Sequence, residues 1–169
     1  MDKVTLERIK TIHPSLRQEL GEIYEEICSR LNKGVICRFP FVYRSIAEQD
    51  ALFAQGRNGD KRPRVTNARG GQSYHNYGLA VDIVLLQDRD GNGTYETASW
   101  DNKIDFDKDG MADWQEVVSV FKMYGWEWGG DWRNFPDTPH FQKTFGKTVI
   151  ELRERVRRFM VIDKVYPIL

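Results

Sequence analysis

The chain carries no excess of either charge: Lys and Arg together number 25, and so do Asp and Glu. A protein that follows a phosphate backbone normally carries surplus Lys and Arg, so nucleic acid is not expected as a partner. No apolar run approaches the eighteen or so residues that read as a bilayer span, so no transmembrane segment is expected. The opening MDKVTLERIKTIHPSL has neither an apolar stretch nor a small-residue cleavage site, and it does not read as a secretory leader. Cysteine is scarce. Cys28 and Cys37 are the only two, with no Cys-x-x-Cys pair, which argues against a disulfide framework and a thiolate metal site. Internal repeats and low-complexity tracts are also missing.

What remains is a 169-residue chain, 40% apolar and 30% charged, the size and composition of one globular domain spanning residues 1–169. Leu16, Leu20, Ile23, Tyr24, Ile27 and Leu31 follow helical spacing, with Gly34 as a stop. Val35 to Tyr43 is β-rich, and Pro40 marks an edge strand or a bulge. Ser45 is placed to cap a helix from about Ile46 to Gln55. The apolar run Leu79 to Leu86 reads as a buried strand. Residues 113–124 read as a helix, His140 to Gln142 as a short strand, and Thr148 to Met160 as a final amphipathic helix. Helices flanking short strands without βαβ alternation predict an α+β domain with a small antiparallel sheet.

Three histidines are present. His13, before Pro14 in a polar segment, reads as a surface residue. His75 lies seven residues before Asp82, with Gly78 allowing a turn between them, and His140 follows Asp137 and Pro139. His75, Asp82 and His140 would make a three-ligand zinc site with one position left open, the catalytic pattern rather than the closed structural one. Asp137, close to His140 and not needed as a ligand, is the candidate proton carrier. On spacing alone a turn histidine and a capping aspartate account for the same residues equally well.

An acidic stretch, residues 87–116, interrupts the domain. Asp105, Asp107, Asp109, Asp113 and Glu116 occupy positions 1, 3, 5, 9 and 12 of an EF-hand loop, with Gly110 at 6 and the carbonyl of Met111 at 7. Calcium is therefore the expected second ion. Asp88, Asp90 and Asn92 begin the same pattern, but Ser99 stands where the bidentate glutamate belongs. An acidic solvated loop is the alternative.

The order Ser73-x-His75-x-x-Gly78-x-Ala80-x-Asp82, then Asp137-x-x-His140, resembles peptidase family M15, which holds D-alanyl-D-alanine carboxypeptidases and phage L-alanyl-D-glutamate endopeptidases. Tyr43-Arg44-Ser45 with Gln49, and Trp126-x-Trp128-Gly129-Gly130-Asp131-Trp132, extend the resemblance over about residues 35–142. It implies a zinc cleft with His75, Asp82 and His140 as ligands, Asp137 as acid/base, and Arg44 as the cation facing the oxyanion. Ser73 and Gln49 then become substrate or supporting contacts, and Trp128 a cleft residue or a core one. The implied activity is hydrolysis of peptidoglycan stem peptides by a monomer, with the L-alanyl-D-glutamate bond favoured by the Asp-x-x-His form. D,D-carboxypeptidase activity and a non-enzymatic wall-binding module are the alternatives. Without a leader, such a protein would wait in the cytoplasm for release to the cell wall, as a phage or prophage endolysin does.

Overall fold

The computed structural model describes residues 1–169. The first turn of structure is one the periodicity did not announce: α1 (Lys3–Ile9), capped by the Asp2 carboxylate accepting from the Thr5 N–H. A 3-10 turn over Pro14–Leu16 leads into α2 (Arg17–Arg30), whose Leu20, Ile23, Tyr24 and Ile27 form one buried stripe. Then come β1 (Val35–Phe41) and α3 (Ile46–Ala54). The latter opens on a capping box in which Ser45 accepts from the Glu48 N–H and Glu48 returns a bond to Ser45. A 3-10 turn at Tyr74–Tyr77 precedes β2 (Ala80–Gln87). After β2 follow β3 (Thr97–Ser99), α4 (Asp113–Met123), β4 (Glu127–Trp128) and β5 (His140–Gln142). The chain closes with α5 (Val149–Arg157) and a small hairpin of β6 (Val161–Ile162) and β7 (Tyr166–Pro167).

The architecture is α+β, as expected. The main sheet is antiparallel, in the order β1-β2-β5-β4, with β3 paired to β2 beyond the end of β5. Its register slips between Arg38 and Phe41, around Pro40, which has no N–H to give the ladder. β2 alternates: Val81, Ile83 and Leu85 enter the core, while Asp82, Val84 and Leu86 face the other side of the sheet. Helices α2 and α4 cover the core face, and Val117, Val120 and Phe121 of α4 are completely buried there. Burying each such side chain is worth about 1.5–3 kcal/mol, enough to hold a helix of this length against the sheet.

Three expectations need correction. His13 is fully buried rather than on the surface, because its ring joins two distant segments: Nε2 donates to the Pro167 carbonyl at 2.9 Å and Nδ1 accepts from the Ser15 N–H at 3.2 Å. The acidic stretch is not all loop, since Thr97–Ser99 adds a strand to the sheet. The last helix ends at Arg157, three residues short of Met160, where Phe159 turns to a positive φ of 57°. No helix is long and apolar enough to cross a membrane.

Candidate active site

Asp82 and His140 are direct partners across the β2–β5 ladder, so their side chains leave the sheet on the same face. Cross-strand partners have Cβ atoms only about 4.5–5.5 Å apart, which places carboxylate and imidazole in reach of one another. His75 arrives from the other direction. It sits in the 3-10 turn that Ser73 caps by accepting from the His75 N–H, and Gly78 ends that turn at φ 67°, aiming the chain into β2. A Cβ at Gly78 would stand 2.7 Å from the His13 nitrogen and 2.9 Å from the Tyr166 ring, so the position demands glycine twice over.

The ligand atoms of His75, Asp82 and His140 all lie within 4.8 Å of one another. Asp82 Oδ1 is 3.1 Å from His75 Nε2 and 3.2 Å from His140 Nδ1. The outward nitrogens are already committed: His75 Nδ1 lies 2.7 Å from the Val42 carbonyl, and His140 Nε2 3.1 Å from Gln142 Oε1. Both are acceptors, so each ring gives its N–H outward and turns a lone pair inward, toward a carboxylate oxygen. Lone pairs converging on lone pairs are repulsive unless a cation lies among them. This donor set, with its rings fixed from behind, fits a zinc ion. Without an ion, protons on the two rings would take its part: burial works to raise the Asp82 pKa, but the protonated imidazoles outweigh it and hold the carboxyl far below its usual range. His140 is pulled down by burial and pushed up more strongly by Asp82, ending above its ordinary value.

Arg44 lies beside the trio, its guanidinium 3.5 Å from Asp82 Oδ2 and 3.0 Å from Gln49 Oε1. Gln49 is fully buried and also donates to the Ala68 carbonyl, so it stands behind Arg44 and holds it in place. Asp137 starts the turn that delivers His140, whose N–H donates to the Asp137 carbonyl. Burial, then the charge of Asp82, raises the Asp137 pKa, the direction that suits a group taking up a proton near neutrality. Backbone contact sets its place: a Cβ on Gly129 would lie 2.4 Å from the Asp137 carbonyl oxygen.

These residues line one cleft of about 890 Å³, which includes Arg44, Ser73, His75, Asp82, Asp137 and His140. Of the two readings of Trp128, cleft or core, the structure shows the second: it packs against the core and donates its indole N–H to the Thr138 carbonyl. Trp132 takes the place at the cleft, its ring centroid 5.3 Å from that of His140. Gln142 and Trp100 are cleft residues that the motifs did not single out. A signal for Gln142 existed, because two residues past His140 on a strand is the same face.

The model of the D-alanyl-D-alanine carboxypeptidase family matches residues 66–143, which contain His75, Asp82, Asp137 and His140 but not Arg44. The peptidoglycan L-alanyl-D-glutamate endopeptidase CwlK of Bacillus subtilis (strain 168) is 43% identical over 131 residues, or 78% of this chain and 72% of CwlK. The chain belongs to peptidase family M15. Another member-like relative, the L-alanyl-D-glutamate peptidase of Listeria phage A118, is 34% identical over 84 residues, 45% of this M15 chain and 25% of the phage protein. The crystal structure of the Serratia marcescens L-Ala D-Glu endopeptidase ChiX shares the fold, with a TM-score of 0.52 and 24% identity over 86% of this chain and 90% of that one.

In the acidic insertion the carboxylates of Asp105, Asp107 and Asp113 gather within 4.8 Å, and so do those of Asp107, Asp109 and Glu116. Asp105 accepts from the N–H groups of Asp109 and Gly110, and Met111 donates its N–H to Asp109. Asp113 accepts from the Phe106 N–H, and burial raises its pKa. Glu116 is buried with Oε2 unpartnered, and burial followed by Asp109 and Asp107 pushes its pKa up to about 7. Asp88 repeats the first turn, accepting from the Asn92 and Gly93 N–H groups, while Asp90 accepts from Asn92.

Proposed function

We propose that this M15 protein is a zinc peptidase that hydrolyses the L-alanyl-D-glutamate bond of peptidoglycan stem peptides, with His75, Asp82 and His140 holding the ion. The observation that carries the reading is the inward convergence of two imidazoles, oriented from behind by Val42 and Gln142, on one carboxylate in an open cleft. The L-alanyl-D-glutamate bond named in both CwlK and the phage relative supports the choice of bond. Zinc bound there supplies Lewis acidity that makes water nucleophilic near neutral pH.

The chain's own groups do the rest. Asp137 takes a proton from the attacking water as the new C–O bond forms, and passes it to the amide nitrogen as the C–N bond breaks. Its raised pKa places it between the two tasks. Arg44, fixed by Gln49, faces the negative charge that grows on the carbonyl oxygen. Ser73 holds the turn bearing His75 and lines the cleft beside it, within reach of substrate.

The Asp105–Glu116 loop is proposed as a calcium site, with Asp105, Asp107, Asp109, Asp113 and Glu116 as side-chain ligands and Met111 through its carbonyl. The unpartnered Glu116 oxygen beside Asp107 and Asp109 supports it. Asp88, Asp90 and Asn92 have the matching turn but bring together only two carboxylates.

Digesting a defined muropeptide and weighing the products tests the activity. Release of peptides beginning with D-glutamate, abolished by chelator and restored by zinc, is the expected result. Loss of only a terminal D-alanine would make the protein a D,D-carboxypeptidase, as the family model's description allows. No cleavage at all would leave a metal-holding binding module.

A further inference from the structure

The cleft does not end at the metal trio. Along β2 the side chains on its face run Asp82, Val84, Leu86, and they change from charged to apolar within two steps. The far wall comes from the acidic insertion: Ala98 of β3 pairs with Leu86, and Trp100 lies one residue beyond Ser99, the partner of Leu85. Trp100 is 58% exposed yet lines the cleft, and so are Phe41 at 49% and Val65 at 55% on the opposite side. Three large apolar side chains left in water around one groove mark a surface that something covers.

Charge decides which end of the substrate this is. Val84, Leu86, Ala98 and Trp100, which line this end of the cleft, carry no charge, and the acidic Asp82 and Asp137 lie at the metal end. Arg38, the cation on the groove floor, is engaged by the Asp2 carboxylate at 2.8 Å. A ligand segment rich in carboxylates is therefore disfavoured here. On one side of an L-alanyl-D-glutamate bond lie the carboxylates of glutamate and the residues after it. On the other lie a neutral alanine, a neutral acyl link and a sugar ring. Length agrees as well. Asp82 to Leu86 is four strand residues, about 13 Å. One alanine and its acyl link, at about 3.5 Å per unit, bring a pyranose abreast of Val84 and Leu86, where the Trp100 indole stands.

Resting on the L-alanyl-D-glutamate reading, we propose that Trp100, with the Val84–Leu86–Ala98 floor, is the subsite for the sugar that carries the stem peptide. Trp100 is then a specificity residue, favouring stems still attached to glycan over free peptide. The indole offers a rigid flat apolar face to the C–H face of the ring, with the peptide bond of alanine lying over Asp82.

The test is a competition in one tube between two substrates: an N-acetylated stem peptide, and the same stem on its disaccharide. Their ratio of kcat/KM does not depend on how much of each enzyme preparation is folded. Wild type should prefer the disaccharide-linked stem, Trp100→Ala should lower that preference about tenfold, and Trp100→Phe should restore most of it. The loss should fall on KM for the disaccharide substrate. An unchanged ratio in Trp100→Ala overturns the subsite, whether both rates fall or neither does. Cleavage of neither substrate by wild type, or at a different bond, overturns the L-alanyl-D-glutamate reading and the subsite with it.

Discussion

The imidazole of His13 is neutral for a structural reason: one ring nitrogen must donate to Pro167 and the other must accept from Ser15. A second proton would set N–H against N–H in a fully buried place. Burial, then the charge of Arg17, keeps its pKa below the usual histidine value of 6.5. The unfolded chain binds that proton as the pH drops below about 6.5 and the native chain does not, so stability is present above that pH and is lost as the pH falls. The melting temperature of wild type should fall between about pH 7 and 5 more steeply than that of His13→Gln. Parallel curves would show that His13 does not titrate against folding. His13 also shows why residues differ in legibility. The closeness of His75, Asp82 and His140 was suggested by short local frames, with Gly78 or Pro139 nearby, once the family resemblance was added. The burial of His13 was not, because its partner Pro167 lies 154 residues away.

At the scale of elements, α4 begins at the acidic loop, with Asp113 and Glu116 in its first turn. Without a cation, Glu116 is buried near Asp107 and Asp109, and its pKa of about 7 costs stability above the unfolded value of 4.5, increasingly up to about pH 7. Calcium should remove that cost and raise the melting temperature, since it binds the folded loop. At pH 8, metal-free Glu116→Gln should melt at or above wild type and gain much less from calcium. An equal gain in both would place the ion elsewhere, and calorimetry without binding at millimolar calcium would end the calcium reading. The helices of this domain were legible from caps and period: Ser45 ahead of α3, and Leu20, Ile23, Tyr24 and Ile27 on one side of α2. β3 was not, since three residues of Thr-Ala-Ser carry no period, and only pairing with Leu85 to Gln87 makes them a strand. α1, at seven residues, is fixed by its cap and by Thr5 donating into Asp2.

At the scale of the molecule, residues 44, 75, 82, 137 and 140 meet because three antiparallel elements bring them to one face of the sheet. That His75, Asp82 and His140 come together was implied by the family resemblance rather than by spacing alone, and the shape of the cleft was implied by neither. Which of Trp100, Trp128 and Trp132 lines it depends on where β3 and β5 pair along β2 and on β4 pairing beyond β5. The same cleft joins His75, Asp82 and His140, Asp137, and the wall supplied by the insertion, so the proposed chemistry and the proposed substrate choice share one surface. The central claim is that the trio holds the ion while Asp137 moves the proton, and Asp137→Asn separates the two roles while keeping size and hydrogen bonding. Zinc content and turnover of that purified variant, measured together on a defined muropeptide, are the most direct test. The account predicts one zinc per chain, as in wild type, with turnover lower by about 10²–10⁴-fold. Undiminished turnover, or loss of the zinc along with it, would contradict the account.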